Sequence, residues 1–129
     1  MKTLIAEDDF TNRLLLQSFL SQFGECHLAA NGKEAVQAVA AARQAGSGYD
    51  LICMDILMPE LDGHQAVQQI RALEEGGGRG RAKIIMTTAS NDVGSVQQAL
   101  QEQCDSYLLK PIRISRLLRD LRAFGLVDA

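Results

Sequence analysis

The sequence predicts an α/β fold: one domain in which a five-stranded parallel sheet is doubly wound, with helices on both faces. Three observations predict it. Short apolar runs alternate with longer stretches of helical periodicity, five of each, a pattern that closes into a parallel sheet through right-handed crossovers. The run Tyr49-Asp-Leu-Ile-Cys-Met-Asp-Ile-Leu-Met58 is apolar along most of its length, as a strand buried on both faces is. Finally, 129 residues, 47% apolar and 22% charged, suffice for one core and leave no room for a second.

Taken in order, Thr3 to Ala6 is a first strand that runs into Glu7-Asp8-Asp9. Phe10, Leu14, Leu16, Phe19, Leu20 and Phe23 recur at the spacing of one helix face. Asp9 or Thr11 suits its amino cap and Gly24 its carboxyl end. Glu25 to Ala30 reads as a weaker second strand, followed by an Asn31-Gly32 turn. Lys33 to Ala45 is helical, with Ala35, Val36, Val39 and Ala42 on one side, and Gly46-Ser47-Gly48 ends it. The central strand ends on Asp55, and Asp62 is placed to cap a third helix that carries Ala66, Val67, Ile70 and Leu73. Gly76-Gly77-Gly78-Arg79-Gly80-Arg81 follows a helix and precedes a strand. A phosphate-cradling loop has the reverse order, so this stretch reads as a connector. Ile84 to Thr88 is a fourth strand, and a fourth helix starts at Asn91 or Asp92 with Val93, Val96 and Leu100 inward. Ser106 to Lys110 is a fifth strand, stopped by Pro111. A fifth helix, near Ile112 to Phe124, buries Ile114, Leu117, Leu118 and Leu121 and turns Arg113, Arg116 and Arg119 outward.

The net charge of −3 gives no sign of a general nucleic-acid or anionic-membrane binder. Cys26, Cys53 and Cys104 are odd in number and widely spaced, which argues against a disulfide framework or a zinc site and for a reducing compartment. Cys53 reads as a small core residue. No apolar segment approaches the roughly 20 residues a membrane span needs, nor does the start resemble a signal peptide; the expected location is cytoplasmic. His27 and His64 lie near no other soft ligand and read as surface or packing residues.

The polar residues of interest fall at the carboxyl ends of four strands: Glu7 and Asp8, Asp55, Thr88 and Lys110. In a doubly wound sheet these ends converge on the edge where ligands bind. Three converging carboxylates repel one another unless a cation sits among them, and their hard oxygens suit Mg²⁺. An ammonium from Lys110 and a hydroxyl from Thr88 complete what the oxygens of a phosphoryl group require. Asp55 is then placed to take that group as an acyl phosphate. Taken one at a time, the residues favour a structural ion pair; taken as a set, they favour a site.

The same residues carry a resemblance. Glu7-Asp8, Asp55 with Met58-Pro59 and Asp62-Gly63, Thr88-Ala89, and Tyr107 with Lys110-Pro111 resemble the receiver domain of bacterial response regulators. Asn12-Arg13 and the run Ala30 to Ala35 are similar to receivers of hybrid histidine kinases. The resemblance covers the whole chain, read as one receiver domain over residues 1–129 with no output domain, and implies a (βα)5 flavodoxin-like fold in two-component phosphorelay signalling. It implies that Asp55 accepts a phosphoryl group from a histidine kinase. Asp8, Asp55 and the Leu57 backbone carbonyl hold Mg²⁺, and Glu7 helps through water. Thr88, Lys110 and the Ala89 backbone contact the phosphoryl oxygens. Tyr107 is the switch residue that follows Thr88, and the Lys110-Pro111 bond is cis. Phosphorylation adds about −1.5 to −2 charges at one point. The implied readout surface is the fourth helix, fifth strand and fifth helix, which meets an unknown downstream protein. No direct nucleic-acid or membrane contact is implied, and the state is a monomer or a phosphorylation-dependent dimer.

Several departures stand out. Glu7 replaces the common aspartate, Gln103 stands where glycine is frequent, and Leu57 and Ser90 occupy variable positions beside the acceptor. Thr87-Thr88 leaves a choice of one residue, for which strand alternation and Ala89 favour Thr88. A Mg²⁺-dependent phosphohydrolase with an aspartyl nucleophile is the main alternative. It often carries a second acid two residues on, where this chain has Leu57, which cannot transfer a proton. A binding module that no longer uses phosphate would be free to lose Asp8, Asp55, Thr88 or Lys110.

Overall fold

The computed structural model describes residues 1–58, 60–75, 80–88 and 104–128. Five parallel strands form one sheet in the order β2-β1-β3-β4-β5. They are β1 (Thr3–Ala6), β2 (Cys26–Ala29), β3 (Leu51–Asp55), β4 (Lys83–Thr88) and β5 (Ser106–Leu109). From β1 the chain steps outward to β2, then crosses back to β3 and on to β4 and β5. The direction of winding therefore reverses between β1 and β3, which opens a crevice at their carboxyl ends. Ala6 pairs with Met54, so Glu7 and Asp55 emerge side by side.

Strand alternation divides the interior into two cores. On one face Ile52, Met54, Ile84 and Met86 pack against Ala35 and Val39 of α2 (Gly32–Gln44) and Ala66, Val67 and Ile70 of α3 (Gly63–Glu75). On the other, Ile5, Cys53, Ile85 and Leu108 pack against Leu16 and Leu20 of α1 (Phe10–Leu20) and Leu117 and Leu121 of the last helix (Ile114–Ala123). Burial at both faces explains the unbroken apolar run of β3, all five residues of which are buried.

Local chemistry sets the helix starts. Asp9 is the cap of α1, its carboxylate accepting from Asn12 N at 2.9 Å. Asn31 accepts from Glu34 N at 2.8 Å, while Glu34 accepts from Ala30 N at 3.0 Å. At α3, Asp62 accepts from Gln65 N at 2.9 Å and Gln65 Oε1 accepts from Asp62 N at 3.3 Å, a reciprocal capping box.

Two inward faces differ from expectation. Phe10 is 67% exposed and Leu14 is 50% exposed, because at about 100° per residue both are turned well away from Leu16 and Leu20, the residues that α1 buries. Leu73 is also exposed, since Arg71 and Glu74 take the inward positions of that turn of α3. The expected helix from Asn91 or Asp92, together with Pro59, Ala89, Ser90 and Gln103, lies outside the described residues. The Lys110-Pro111 bond is cis, as expected. Among the described residues no helix is long and apolar enough to cross a membrane.

The buried Arg71 and Glu74 belong to a charged network at the amino edge of the sheet. Arg71 reaches Glu74 Oε1 at 2.6 Å, Asp105 Oδ2 at 3.0 Å and the Ala82 carbonyl at 2.9 Å. Glu74 in turn accepts from Ala82 N at 2.7 Å, and Asp105 accepts from Ile84 N at 2.8 Å. One guanidinium thus ties α3 to the starts of β4 and β5.

Candidate functional site

The carboxyl ends of β1, β3 and β5 bring Glu7, Asp8, Asp55 and Lys110 together. One carboxylate oxygen from each of Glu7, Asp8 and Asp55 lies within 4.8 Å of the others. Glu7 and Asp55 are buried, whereas Asp8 is exposed at the mouth. Lys110 Nζ lies 3.0 Å from Asp55 Oδ2 and 3.0 Å from Glu7 Oε1. The β3 strand delivers Asp55 as its last residue, and Leu57 N donates to Asp55 Oδ1 at 3.3 Å, which orients the carboxylate.

The loop beyond Asp55 folds back tightly. Gly63 N donates to the Ile56 carbonyl at 2.9 Å, and a side chain at Gly63 would collide with the Asp55 carbonyl and the Ile56 backbone. Glycine there lets the start of α3 press against the acceptor's own backbone. Glu60, at φ 68°, takes a left-handed conformation in the same loop, a strain without a signal among the neighbouring residue types.

Electrostatics make the cluster a candidate cation site. Burial drives the Glu7 carboxyl up from 4.5 to about 8; neighbouring Asp55 adds to the rise, and Lys110 opposes it. Burial works against the Lys110 ammonium, but hydrogen bonds and charge from Asp55 and Glu7 outweigh it and hold it upward. Glu7 Oε1 makes no hydrogen bond among the described residues, because the contact with Lys110 is misaligned for one. A buried oxygen of this kind fits a hard cation, and so does the donor set of three carboxylates.

A pH dependence follows. Glu7 binds its proton more tightly folded than unfolded, so its contribution to stability is full below 4.5 and is lost as pH rises through about 8. In chelator, stability is expected to fall across that window and the Glu7→Gln variant to show a shallower slope, as urea unfolding at several pH values will read.

The remaining expected residues stand at strand ends. Thr88 is buried at the end of β4, and its carbonyl accepts from Lys110 N at 2.7 Å, so β4 helps fix the lysine backbone. Asp55 pairs with Thr87, which is buried as well. Tyr107 is partly buried against the α2–α3 core. Leu57 is 66% exposed beside the acceptor. His64 is buried in α3, and His27 Nδ1 lies 2.6 Å from Tyr49 Oη, away from the cluster. Cys53 is buried in the core.

Comparison with known proteins shows the family. The family described as "Response regulator receiver domain" matches residues 3–122. Hybrid signal transduction histidine kinase G of Dictyostelium discoideum is 37% identical over 97% of the chain, and the chain spans 4% of that kinase's length. Among solved structures, the receiver domain of sensor histidine kinase PA1611 from Pseudomonas aeruginosa PAO1, with a magnesium ion in its active-site cleft, has a TM-score of 0.80 and 34% identity over 96% of this chain and 97% of that one. The complex of the Saccharomyces cerevisiae histidine phosphotransfer protein Ypd1 with the receiver domain of Ssk1 gives a TM-score of 0.83 and 33% identity over 97% of this chain and 88% of that one.

Proposed function

This chain belongs to the response regulator receiver domain family, the signalling domains of two-component phosphorelays, and from that membership we propose that Asp55 is the phosphoryl acceptor. A carboxylate oxygen of Asp55 attacks the phosphorus of a phosphohistidine. The new P–O bond forms as the P–N bond breaks, and the imidazole leaves on the donor. The observation that carries this reading is the placement of Asp55 at the tip of the central strand, 3.0 Å from Lys110 Nζ and within reach of two further acids. Lys110 stabilises negative charge on the acceptor and on the incoming oxygens. The Thr88 hydroxyl takes another of these oxygens and Ala89 offers its backbone. Asp8, Asp55 and the Leu57 carbonyl would hold Mg²⁺, with Glu7 assisting. Bound there, the ion neutralises charge that the protein's one nearby ammonium leaves unbalanced.

Receiver action is signalling: the domain catalyses only its own phosphorylation and dephosphorylation. The charge added at Asp55 biases Thr88 and Tyr107 toward an alternative packing, and the partner-binding face follows. Phe10, Leu14 and Leu57, exposed on and beside the carboxyl edge, offer apolar surface on which a histidine kinase or phosphotransfer donor seats. The three free cysteines suit a reducing, cytoplasmic setting.

Two tests apply. With acetyl phosphate as donor, wild-type protein is expected to take up a phosphoryl group in Mg²⁺ and to stop when EDTA removes the ion. Uptake that is indifferent to EDTA contradicts the cation assignment. The Leu57 side chain has no polar atom with which to position a hydrolytic water beside Asp55. Leu57→Asn is therefore expected to shorten the phosphoryl half-life severalfold, read by loss of label after donor removal.

A further inference from the structure

The amino edge of the sheet, opposite Asp55, holds a second concentration of charge. A cavity of about 450 Å³ lies there, between the end of α2, the starts of β3 and β4 and the chain beyond the last helix. Arg43, Arg81 and Lys83 line it, with Asp50 as the one carboxylate among the described lining residues and Tyr49 and Leu126 as an apolar wall. The acids nearby are already engaged. Glu74 is held by Arg71 at 2.6 Å and by Ala82 N at 2.7 Å. Asp105 is held by Arg71 at 3.0 Å and by Ile84 N at 2.8 Å, and Asp50 Oδ2 by Lys2 N at 2.8 Å. What Glu74 and Asp105 offer the cations of the cavity is therefore long: Arg81 Nε is 3.9 Å from Glu74 and Lys83 Nζ is 3.8 Å from Asp105. Arg43 pairs with no carboxylate among the described residues. Its guanidinium donates to the Glu74 carbonyl at 3.3 Å and the Gly80 carbonyl at 3.4 Å, which orients the fork and leaves its charge unbalanced. In a chain of net charge −3, three cations against one carboxylate reverse the sign locally.

We propose that this cavity binds a phosphate monoester that carries an aromatic ring. Its volume falls in the range of about 300–1,000 Å³ usual for small-molecule sites, more than a bare phosphate fills. Two guanidiniums offer paired N–H donors that match phosphate oxygens, and the Lys83 ammonium adds a compact point charge. Three cations against one acid suit a doubly charged anion, which a phosphate monoester is above neutral pH. Tyr49 supplies a wall that is held in place: it is 9% exposed, and its Oη lies 2.6 Å from His27 Nδ1. With Leu126 beside it, a ring on the ligand has an apolar surface to meet. The lining is open at Gly48 and Gly80, where a Cβ would meet nothing within 4 Å. An acidic protein segment fits less well, because Leu126 is the one aliphatic side chain among the described lining residues and a docking face needs a broader apolar centre. The site does not depend on the acceptor reading, since β3 carries Asp55 at its far end, away from Tyr49 and Asp50.

The test uses the whole chain in EDTA, so that no metal ion draws phosphate to Asp55, at about pH 8, where a phosphate monoester is doubly charged. The probes are adenosine monophosphate and phenyl phosphate. Adenosine, inorganic phosphate and an acidic peptide of about ten residues serve for comparison. At least one of the two monoesters is expected to shift the amide resonances of Gly48, Tyr49 and Lys83 and to leave those of Asp8 and Leu57 in place. It is expected to bind at least about tenfold more tightly than any of the three comparison probes. The double variant R43Q/K83Q is expected to bind it at least about tenfold more weakly. Lys83→Gln alone, at a side chain 43% exposed, is expected to bind it severalfold more weakly and Lys83→Arg to keep most of the affinity. Acetyl phosphate labelling of these variants in Mg²⁺ is expected at the wild-type level, which separates loss of the ligand from loss of the fold. No binding of either monoester, shifts confined to Asp8 and Leu57, equal binding of adenosine or inorganic phosphate, tighter binding of the peptide, or unchanged binding by Lys83→Gln would each overturn the proposal.

Discussion

Arg71→Ala is expected to destabilise the protein by about 3–5 kcal/mol, read as an early urea midpoint with an unchanged slope. The guanidinium is nearly inaccessible and serves Glu74, Asp105 and the Ala82 carbonyl at once. Its removal leaves the Glu74 carboxylate buried, with the Arg81 guanidinium Nε 3.9 Å away and Ala82 N still donating. The magnitude reflects an uncompensated buried charge rather than a strong native bond. The double replacement Arg71→Met with Glu74→Leu is therefore expected to recover most of the loss, because desolvation of both ions is then avoided. An Arg71→Ala protein as stable as wild type would show that Glu74 is relieved by other means.

Asp55→Asn is expected to reduce phosphoryl uptake to background without lowering the melting temperature. The amide lacks the nucleophilic carboxylate oxygen. It also removes a buried negative charge that faces Asp8, so the folded state loses that repulsion while Lys110 keeps its contact with Glu7. Loss of uptake therefore cannot be ascribed to unfolding if the melt is unchanged. The same substitution is expected to weaken Mg²⁺ binding, measured by titration calorimetry, because a hard-oxygen ligand has become neutral.

Much of the fold was legible because β1, β3 and β4 are buried on both faces and the helices present periodic stripes. The strand ends followed, and with them Glu7, Asp8, Asp55 and Lys110, which the fold does bring together. What escaped the sequence has physical causes. Phe10 and Leu14 recur with each other at i, i+4 but fall on a different side from Leu16 and Leu20, and apolar residues on both sides of α1 left its buried face ambiguous. Nothing in the sequence marks Arg71 and Glu74 for burial, which depends on Asp105, 34 residues further on than Arg71, and on the start of β4. The i, i+3 spacing of Arg71 and Glu74 was visible, but such pairs are common on exposed faces. The direct contact of Lys110 with Glu7 and Asp55 also needed three dimensions, because residues at positions 7, 55 and 110 meet only when the winding order is known. The signal for Gly63 was present in Asp62-Gly63, but its reason, the approach of α3 to the Asp55 backbone, was not.

The central claim is that phosphate resides on Asp55, and chemical mapping tests it most directly. After phosphorylation with acetyl phosphate and Mg²⁺, borohydride reduces an acyl phosphate to the alcohol, turning the modified aspartate into homoserine. Mass spectrometry of the peptide spanning β3 is expected to find homoserine at position 55 and nowhere else. Homoserine at another aspartate, the corresponding alcohol at a glutamate, or stable label on His27 or His64 with Asp55 intact would contradict the account.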